Sequence, residues 1–258
     1  MRNLLLMVQF MTRYPVPLTI DFTSDRFVAG MKWMPLVGLF IGLPAGLGYL
    51  LLEPLVGGEL AACFAMIFLI TVTGGLHLDG VADTADGLFS YKPRERVLAI
   101  MRESTLGTNA VIAIVLDILL KFLLIKNIPG TSGAAALCCM PVIGRMAIPW
   151  HAAFSRYARK GSGMGFFVGQ LRPAQAGSTT LVSCGLVVLI LSFFGSPSKE
   201  ILLFLLLLHG IACITALLFA RYLKIRIGGI TGDTIGATIE LVEIITLFLF
   251  YISWKYLS

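Results

Sequence analysis

Seven apolar stretches, free or nearly free of charge, decide what this chain can become. They run at about Met34–Leu52, Leu60–His77, Ala110–Ile125, Ala134–Trp150, Ser178–Gly195, Ile201–Ala220 and Ile235–Trp254. Each approaches the ~20 residues that a helix needs to cross a hydrocarbon core about 30 Å thick. The charged fraction agrees: 13% of residues are Asp, Glu, Lys or Arg, against about 25% in soluble domains. The expected fold is an all-α integral membrane protein. It is a polytopic bundle of about seven transmembrane helices with helices in the cytoplasmic loops, forming one domain over residues 1–258. Leu4–Phe10 is too short to span and has no small-residue cleavage site after it. Residues 1–32 are expected to lie on the membrane surface as an amphipathic segment. The five cysteines (Cys63, Cys138, Cys139, Cys184, Cys213) fall in apolar stretches without metal-ligand spacing. They are expected to be free buried thiols.

Lysines and arginines are shared very unevenly among the connections. One side holds Arg2, Arg13, Arg26 and Lys32, then Lys92, Arg94, Arg96 and Arg102, then Arg156, Arg159, Lys160 and Arg172, then Arg221, Lys224 and Arg226. The other side holds Lys126, Lys199 and Lys255, with Glu53 and Glu59 flanking its first loop. Positive residues stay inside. The N-terminus and the long basic loops are therefore expected on the cytoplasmic face of a bacterial or archaeal inner membrane. The net charge of +6 follows from this topology. No basic stretch is interleaved with aromatics, so no nucleic-acid partner is implied. The long loops Asp79–Asn109 and His151–Gly177 are of a length that is usually functional. A helix is expected at Pro93–Glu103, with Pro93 near its first turn. Gly161, Gly163, Gly165 and Gly169 suit a phosphate-cradling loop, and Gly195–Glu200 is expected to form a tight turn.

Chemistry concentrates where the second stretch ends, in GGLHLDGVADTADG (Gly74–Gly87). At ~100° per residue, Asp79, Asp83 and Asp86 fall within a ~60° arc of one helix. Packed carboxylates repel unless something positive stands before them. A hard divalent cation such as Mg²⁺, with phosphate on its open positions, fits that need. The plainer account is a solvated loop helix with ordinary surface aspartates. The position directly after a membrane span, with small or apolar residues between the acids, favours metal. His77 or one of these acids could accept a proton.

A second acidic stripe, Asp233, Glu240 and Glu243, begins in GGITGDTIGATIELVE, and its two glutamates fall inside a span. There an ionisable residue is a functional hypothesis by default; hydrogen bonding to neighbouring helices is the alternative. Arg94, Arg102, Arg159 and the Ser104 hydroxyl suit phosphate oxygens. Arg145, inside the fourth stretch, has the character of a substrate or carboxylate partner. Asp117 and Lys121, four residues apart, are expected to satisfy each other, and His209 to bond between helices. Walker, Rossmann, GxSxG and HExxH patterns are absent. Acids for metal and arginines for phosphate at one membrane face suggest phosphoryl-group transfer from a nucleotide-activated donor.

At these residues the chain resembles the cobalamin synthase family, the adenosylcobinamide-GDP ribazoletransferases. The shared strings are FMTRYPVP (Phe10–Pro17), PLVGLFIG (Pro35–Gly42), GGLHLDGVADTADGLFS (Gly74–Ser90), IMRESTLGT (Ile100–Thr108), YARKGSGMG (Tyr157–Gly165) and GGITGDTIGATIELVE (Gly228–Glu243). Thr105 stands where that family usually has arginine, and Ala110 near where it often has glycine. The resemblance implies that adenosylcobinamide-GDP and α-ribazole, or its 5′-phosphate, give adenosylcobalamin, or its 5′-phosphate, and GMP. It also implies Mg²⁺ as cofactor. Asp79, Asp83 and Asp86 would then hold the metal, and Arg94, Arg102 and Arg159 the phosphates. Asp233, Glu240 and Glu243 would complete a second metal or orient the ribazole.

Two other classes compete. A CDP-alcohol phosphotransferase of lipid synthesis also uses an aspartate face at a membrane, but wants an arginine where this chain has Asp83. A cation-coupled transporter would carry ions on intramembrane acids, yet no internal repeat is evident. The bilayer is a partner in every case, and oligomeric state is left open.

Overall fold

The computed structural model describes residues 1–159, 167–195 and 201–257. Lys160, Gly161, Gly163, Gly165, Lys199 and residues 196–200 of the expected tight turn lie outside them. The helices are α1 (Arg2–Met11), α2 (Ser24–Gly30), α3 (Met34–Val56), α4 (Gly58–Thr73), α5 (Leu76–Leu88), α6 (Arg94–Ile100), α7 (Thr108–Lys126), α8 (Gly130–Ala153), α9 (Pro173–Phe193), α10 (Ile201–Ile227) and α11 (Gly232–Leu257). No strand element occurs among the described residues. Six helical runs are long and apolar enough to cross a membrane, and α4 with α5 makes a seventh only if the bent pair counts as one. The protein is an all-α polytopic membrane protein.

Three boundaries differ from the sequence expectation. The second stretch, Leu60–His77, is not one helix. Gly74 and Gly75 both adopt left-handed backbone (φ 63° and 69°), which glycine reaches without steric cost and which ends a helix. The chain bends by 86° there, so His77 belongs to α5, not to the span. The first span also begins earlier. Residues 24–33 run on into α3 as one helical segment, while α1 turns Leu6, Met7, Val8 and Met11 inward against it. The expected helix at Pro93–Glu103 is shorter, with Pro93 as the residue before α6.

Lipid tails are as apolar as leucine, so helix association in a bilayer depends on close packing of small residues. The central helix α8 shows this. From Gly133 to Ala152 nearly every residue is buried. Against it lies α3, with Gly38, Gly42 and Gly46 spaced four apart over the carbonyls of Pro141, Cys138 and Ala134. A Cβ added at Gly42 would stand 2.6 Å from the Cys138 oxygen, and one at Gly46 2.5 Å from that of Ala134. Glycine is what lets the two backbones touch.

The bundle has two distinct ends. At one, Lys126 donates to Glu59 at 2.9 Å and Glu53 accepts the Gly130 amide at 2.8 Å. The other gathers α5, α6, residues 156–159 and the start of α11. There Ala158 N–H donates to Ile230 O and Ile230 N–H to Arg156 O, both at 2.8 Å. This short parallel bridge pins the basic strip beside α11.

Candidate active site at the basic end of the bundle

α5 carries Asp79, Asp83 and Asp86 on one helix, as their spacing requires. Asp79 is exposed, and the other two are half-buried. Opposite stands the first turn of α11. Thr231 caps it: its Oγ1 accepts the Thr234 amide at 3.3 Å while Thr234 Oγ1 accepts the Thr231 amide at 2.9 Å. Two glycines bring the helices together. A Cβ at Gly80 would meet the Asp233 carbonyl at 2.5 Å, and one at Gly236 would meet His77 backbone at 3.3 Å. That approach places the Asp233 carboxylate within electrostatic reach of Asp83. α5 leaves the α4 axis at 86° and, with only 13 residues, is too short to cross a membrane by itself. Burial, then the charges of Asp233 and Asp79, push the Asp83 carboxyl up to about 7. Arg159 opposes that rise and Asp86 adds to it. The face holds more negative charge than its protein surroundings neutralise.

Cations border it. Arg159 donates to Asp233 at 2.8 Å and to the Met101 carbonyl at 3.3 Å. Arg94 donates to the Ala158 carbonyl at 3.0 Å. Arg94, Arg102 and Arg159 line one open cavity of about 650 Å³, between α6 and residues 158–159. Three arginines from two segments thus share a space large enough for a nucleoside diphosphate. Ser104 lies exposed on the turn after α6. Glu95 and Glu103 also line this cavity, and Arg96 pairs with Glu103 at 2.7 Å.

Not every expected site residue joins this centre. Both Asp86 oxygens accept backbone amides at the start of α7, from Gly107 at 2.5 Å and Ala110 at 2.9 Å. Asp86 therefore caps a helix whose N–H groups would otherwise be orphaned. The stripe on α11 divides too. Glu240 and Glu243 lie in the bundle interior, both paired with Lys121, the latter at 2.7 Å. Arg145, 1% exposed, pairs with Glu243 and donates to His77 Nδ1 at 3.2 Å. Asp117 is the more distant partner of Lys121, at 3.6 Å, so the expected i,i+4 pair is a minor part of a larger network. Arg145 is thereby a carboxylate partner and does not reach the arginine-lined cavity. A guanidinium only donates, so His77 Nδ1 is the acceptor, and the neutral ring carries its proton on Nε2. In this arrangement His77 presents an N–H on its second ring nitrogen.

No three His, Cys, Asp or Glu residues among the described ones are close enough together to enclose a metal ion. His209 bonds between helices as expected, to Ser183 at 3.0 Å. All five cysteines are free, but only Cys138 and Cys139 are buried; Cys184 and Cys213 are half-buried and Cys63 is exposed on the surface of its apolar helix. One feature had no local signal in the sequence: an apolar cavity beside the acids, walled by phenylalanines from three distant segments.

The family described as Cobalamin-5-phosphate synthase matches residues 3–251. A protein of Caldanaerobacter subterraneus subsp. tengcongensis is 38% identical over 252 residues, covering 98% of each chain. One from Clostridium novyi is 36% identical over 249 residues, covering 95% of this chain and 94% of its own. A third, from Clostridium acetobutylicum, is 37% identical over 241 residues, covering 93% and 92%. All three are named adenosylcobinamide-GDP ribazoletransferase. No solved structure matches the chain. With acids, arginines and small-residue contacts all inside the matched region, the chain belongs to the cobalamin-5-phosphate synthase family.

Proposed function

We propose that this protein is an adenosylcobinamide-GDP ribazoletransferase. It joins adenosylcobinamide-GDP to α-ribazole, or to its 5′-phosphate, giving adenosylcobalamin, or its 5′-phosphate, and GMP. The ribose 3′-hydroxyl attacks the phosphorus attached to cobinamide. The bond from that phosphorus to the bridging oxygen breaks, and GMP leaves with the bridging electron pair. The observation that carries this reading is the Arg159–Asp233 pair. It is where the arginine-lined cavity meets the acid face, so diphosphate and attacking hydroxyl would lie side by side.

Arg94, Arg102 and Arg159 bind the diphosphate and neutralise charge as it moves to the leaving oxygen. A carboxylate of the α5–α11 face that does not hold the metal, or His77, accepts the hydroxyl proton. The donor set also fits Mg²⁺. That ion is usually held by one or two carboxylates, with water and substrate phosphates completing its shell, so the lack of a three-residue cage is no obstacle. One or two of Asp79, Asp83 and Asp233 would hold it, while Asp86 is occupied by amides. When bound, Mg²⁺ withdraws charge from the diphosphate. By the positive-inside rule this end of the bundle faces the cytoplasm of a bacterial or archaeal cell, where guanine nucleotides are present.

The deciding assay is turnover by purified protein. GMP is expected to appear from adenosylcobinamide-GDP only when α-ribazole is present, to cease with EDTA and to return with Mg²⁺. CMP release from CDP-diacylglycerol and an alcohol would overturn the assignment, and a full rate in EDTA would remove the metal from it. Gly80→Ala tests the helix contact. Its methyl must push Asp233 away by a good fraction of an ångström, and misplacement on that scale costs up to about 100-fold in rate. GMP release by this variant should fall about 10- to 100-fold, with a lowered thermal midpoint because the clash is with backbone and overpacking costs about 1–3 kcal/mol. An unaltered rate would mean the α5–α11 approach does not set the reacting geometry.

A further inference from the structure

The apolar cavity beside the acids has a volume of about 200 Å³ and lies among α1, α2, α5, α8 and α11. Phe10, Phe27 and Phe167 wall one side, and Ile235 and Ile239 of α11 the other. The rings already pack on one another, with Phe10 and Phe27 centroids 5.1 Å apart and Phe27 and Phe167 centroids 5.0 Å apart. Aromatic faces and edges of this kind favour a flat aromatic guest. An apolar cavity of about 150 Å³ suffices for benzene, so 200 Å³ has room for one fused bicyclic ring. It is far too small for a corrin macrocycle.

Its polar boundary fixes which end of a guest points where. Asp79 and Asp233 both line the cavity, and Asp233 is the residue paired with Arg159. A ligand with an apolar aromatic head and a hydroxylated sugar would bury the head and leave the sugar at the acids. His77 lines the same cavity, and its Nε2 has no partner among the described residues. A heteroaromatic ring nitrogen is an acceptor of the kind that N–H lacks.

We infer that this cavity is the subsite for the aromatic base of the ribazole. The assignment rests on the transferase reading above and adds to it where the second substrate sits. The arginine-lined cavity then takes the guanosine diphosphate end of the first, and the two meet at Asp233.

Two variants test it in opposite directions. Ile235→Phe shrinks the cavity and Phe167→Ala enlarges it. The readouts are equilibrium binding of α-ribazole alone by calorimetry and separate KM values for the two substrates. Ile235→Phe is expected to weaken α-ribazole binding at least 10-fold and to raise its KM alike. The KM for adenosylcobinamide-GDP should stay within about twofold. Phe167→Ala is expected to shift preference toward ribosides of bulkier bases. Unchanged α-ribazole affinity in both folded variants would overturn the inference, as would a change in the corrinoid KM alone. So would an acyl chain recovered from this cavity that α-ribazole does not displace. Calorimetry needs no turnover, so the two readings fail separately. Wild-type protein that binds α-ribazole but releases no GMP sinks the transferase assignment, whereas turnover without any effect of the cavity variants sinks the subsite alone.

Discussion

Asp83→Asn is expected to abolish GMP release while the protein inserts, purifies and unfolds as the wild type does. The amide keeps the shape of the side chain but removes the charge at the centre of the acid face, where Asp79, Asp86, Asp233 and Arg159 all act on it. Charge stabilisation of a departing phosphate is worth several kcal/mol, so the rate should fall on the order of a thousandfold. Removing a carboxylate from a repulsive group does not weaken the fold. A thermal midpoint equal to or above that of the wild type is therefore part of the expected result. Near-normal turnover by Asp83→Asn would end the claim that this face activates the diphosphate. The same loss of turnover with a lowered midpoint would show a structural role instead.

The second large effect is on stability. Lys121 stands between Glu240, Glu243 and Asp117, all buried. Lys121→Met leaves Arg145 as the sole cation against three carboxylates in that network. Breaking a buried ion pair by removing one partner costs about 3–5 kcal/mol, because the other charge is left uncompensated. The unfolding midpoint in detergent should drop accordingly. Pairing the change with Glu240→Gln should recover part of the loss, since removing both members of a pair is far less costly than removing one. Wild-type stability for Lys121→Met alone would mean the network does not hold these helices.

How much of this was legible beforehand depended on distance along the chain. Asp79, Asp83 and Asp86 share a helix because that spacing is local. The second role of Asp86 is not local: its amide partners lie 21 and 24 residues away. The stripe of Asp233, Glu240 and Glu243 shows the limit of periodicity most plainly. Residues seven and ten apart share a face, but at 1.5 Å per residue they are about 10 and 15 Å apart along the axis. One end reaches the acids and the other the interior. The break at Gly74–Gly75 had a signal, since adjacent glycines punctuate helices, yet hydropathy runs straight through it. Arg159 is held beside α11 by backbone bonds between residues 156–158 and Ile230 and meets Arg94 and Arg102 across the cavity, which no spacing encodes. The phenylalanine-lined cavity likewise exists only once α1, α2 and residue 167 have met.

The interior network also sets an order on how the chain can be made. Lys121 and Arg145 leave the ribosome roughly a hundred residues ahead of the glutamates that neutralise them. Until the last helix emerges, α7 has only its own Asp117 to offset one of those charges, and α8 has none of its own. Three helices whose charges are costly in lipid when alone must therefore be held beside one another, in translocon or chaperone, until synthesis ends. A nascent chain stopped before residue 240 would remain a ready target for membrane proteases, however complete its first five spans.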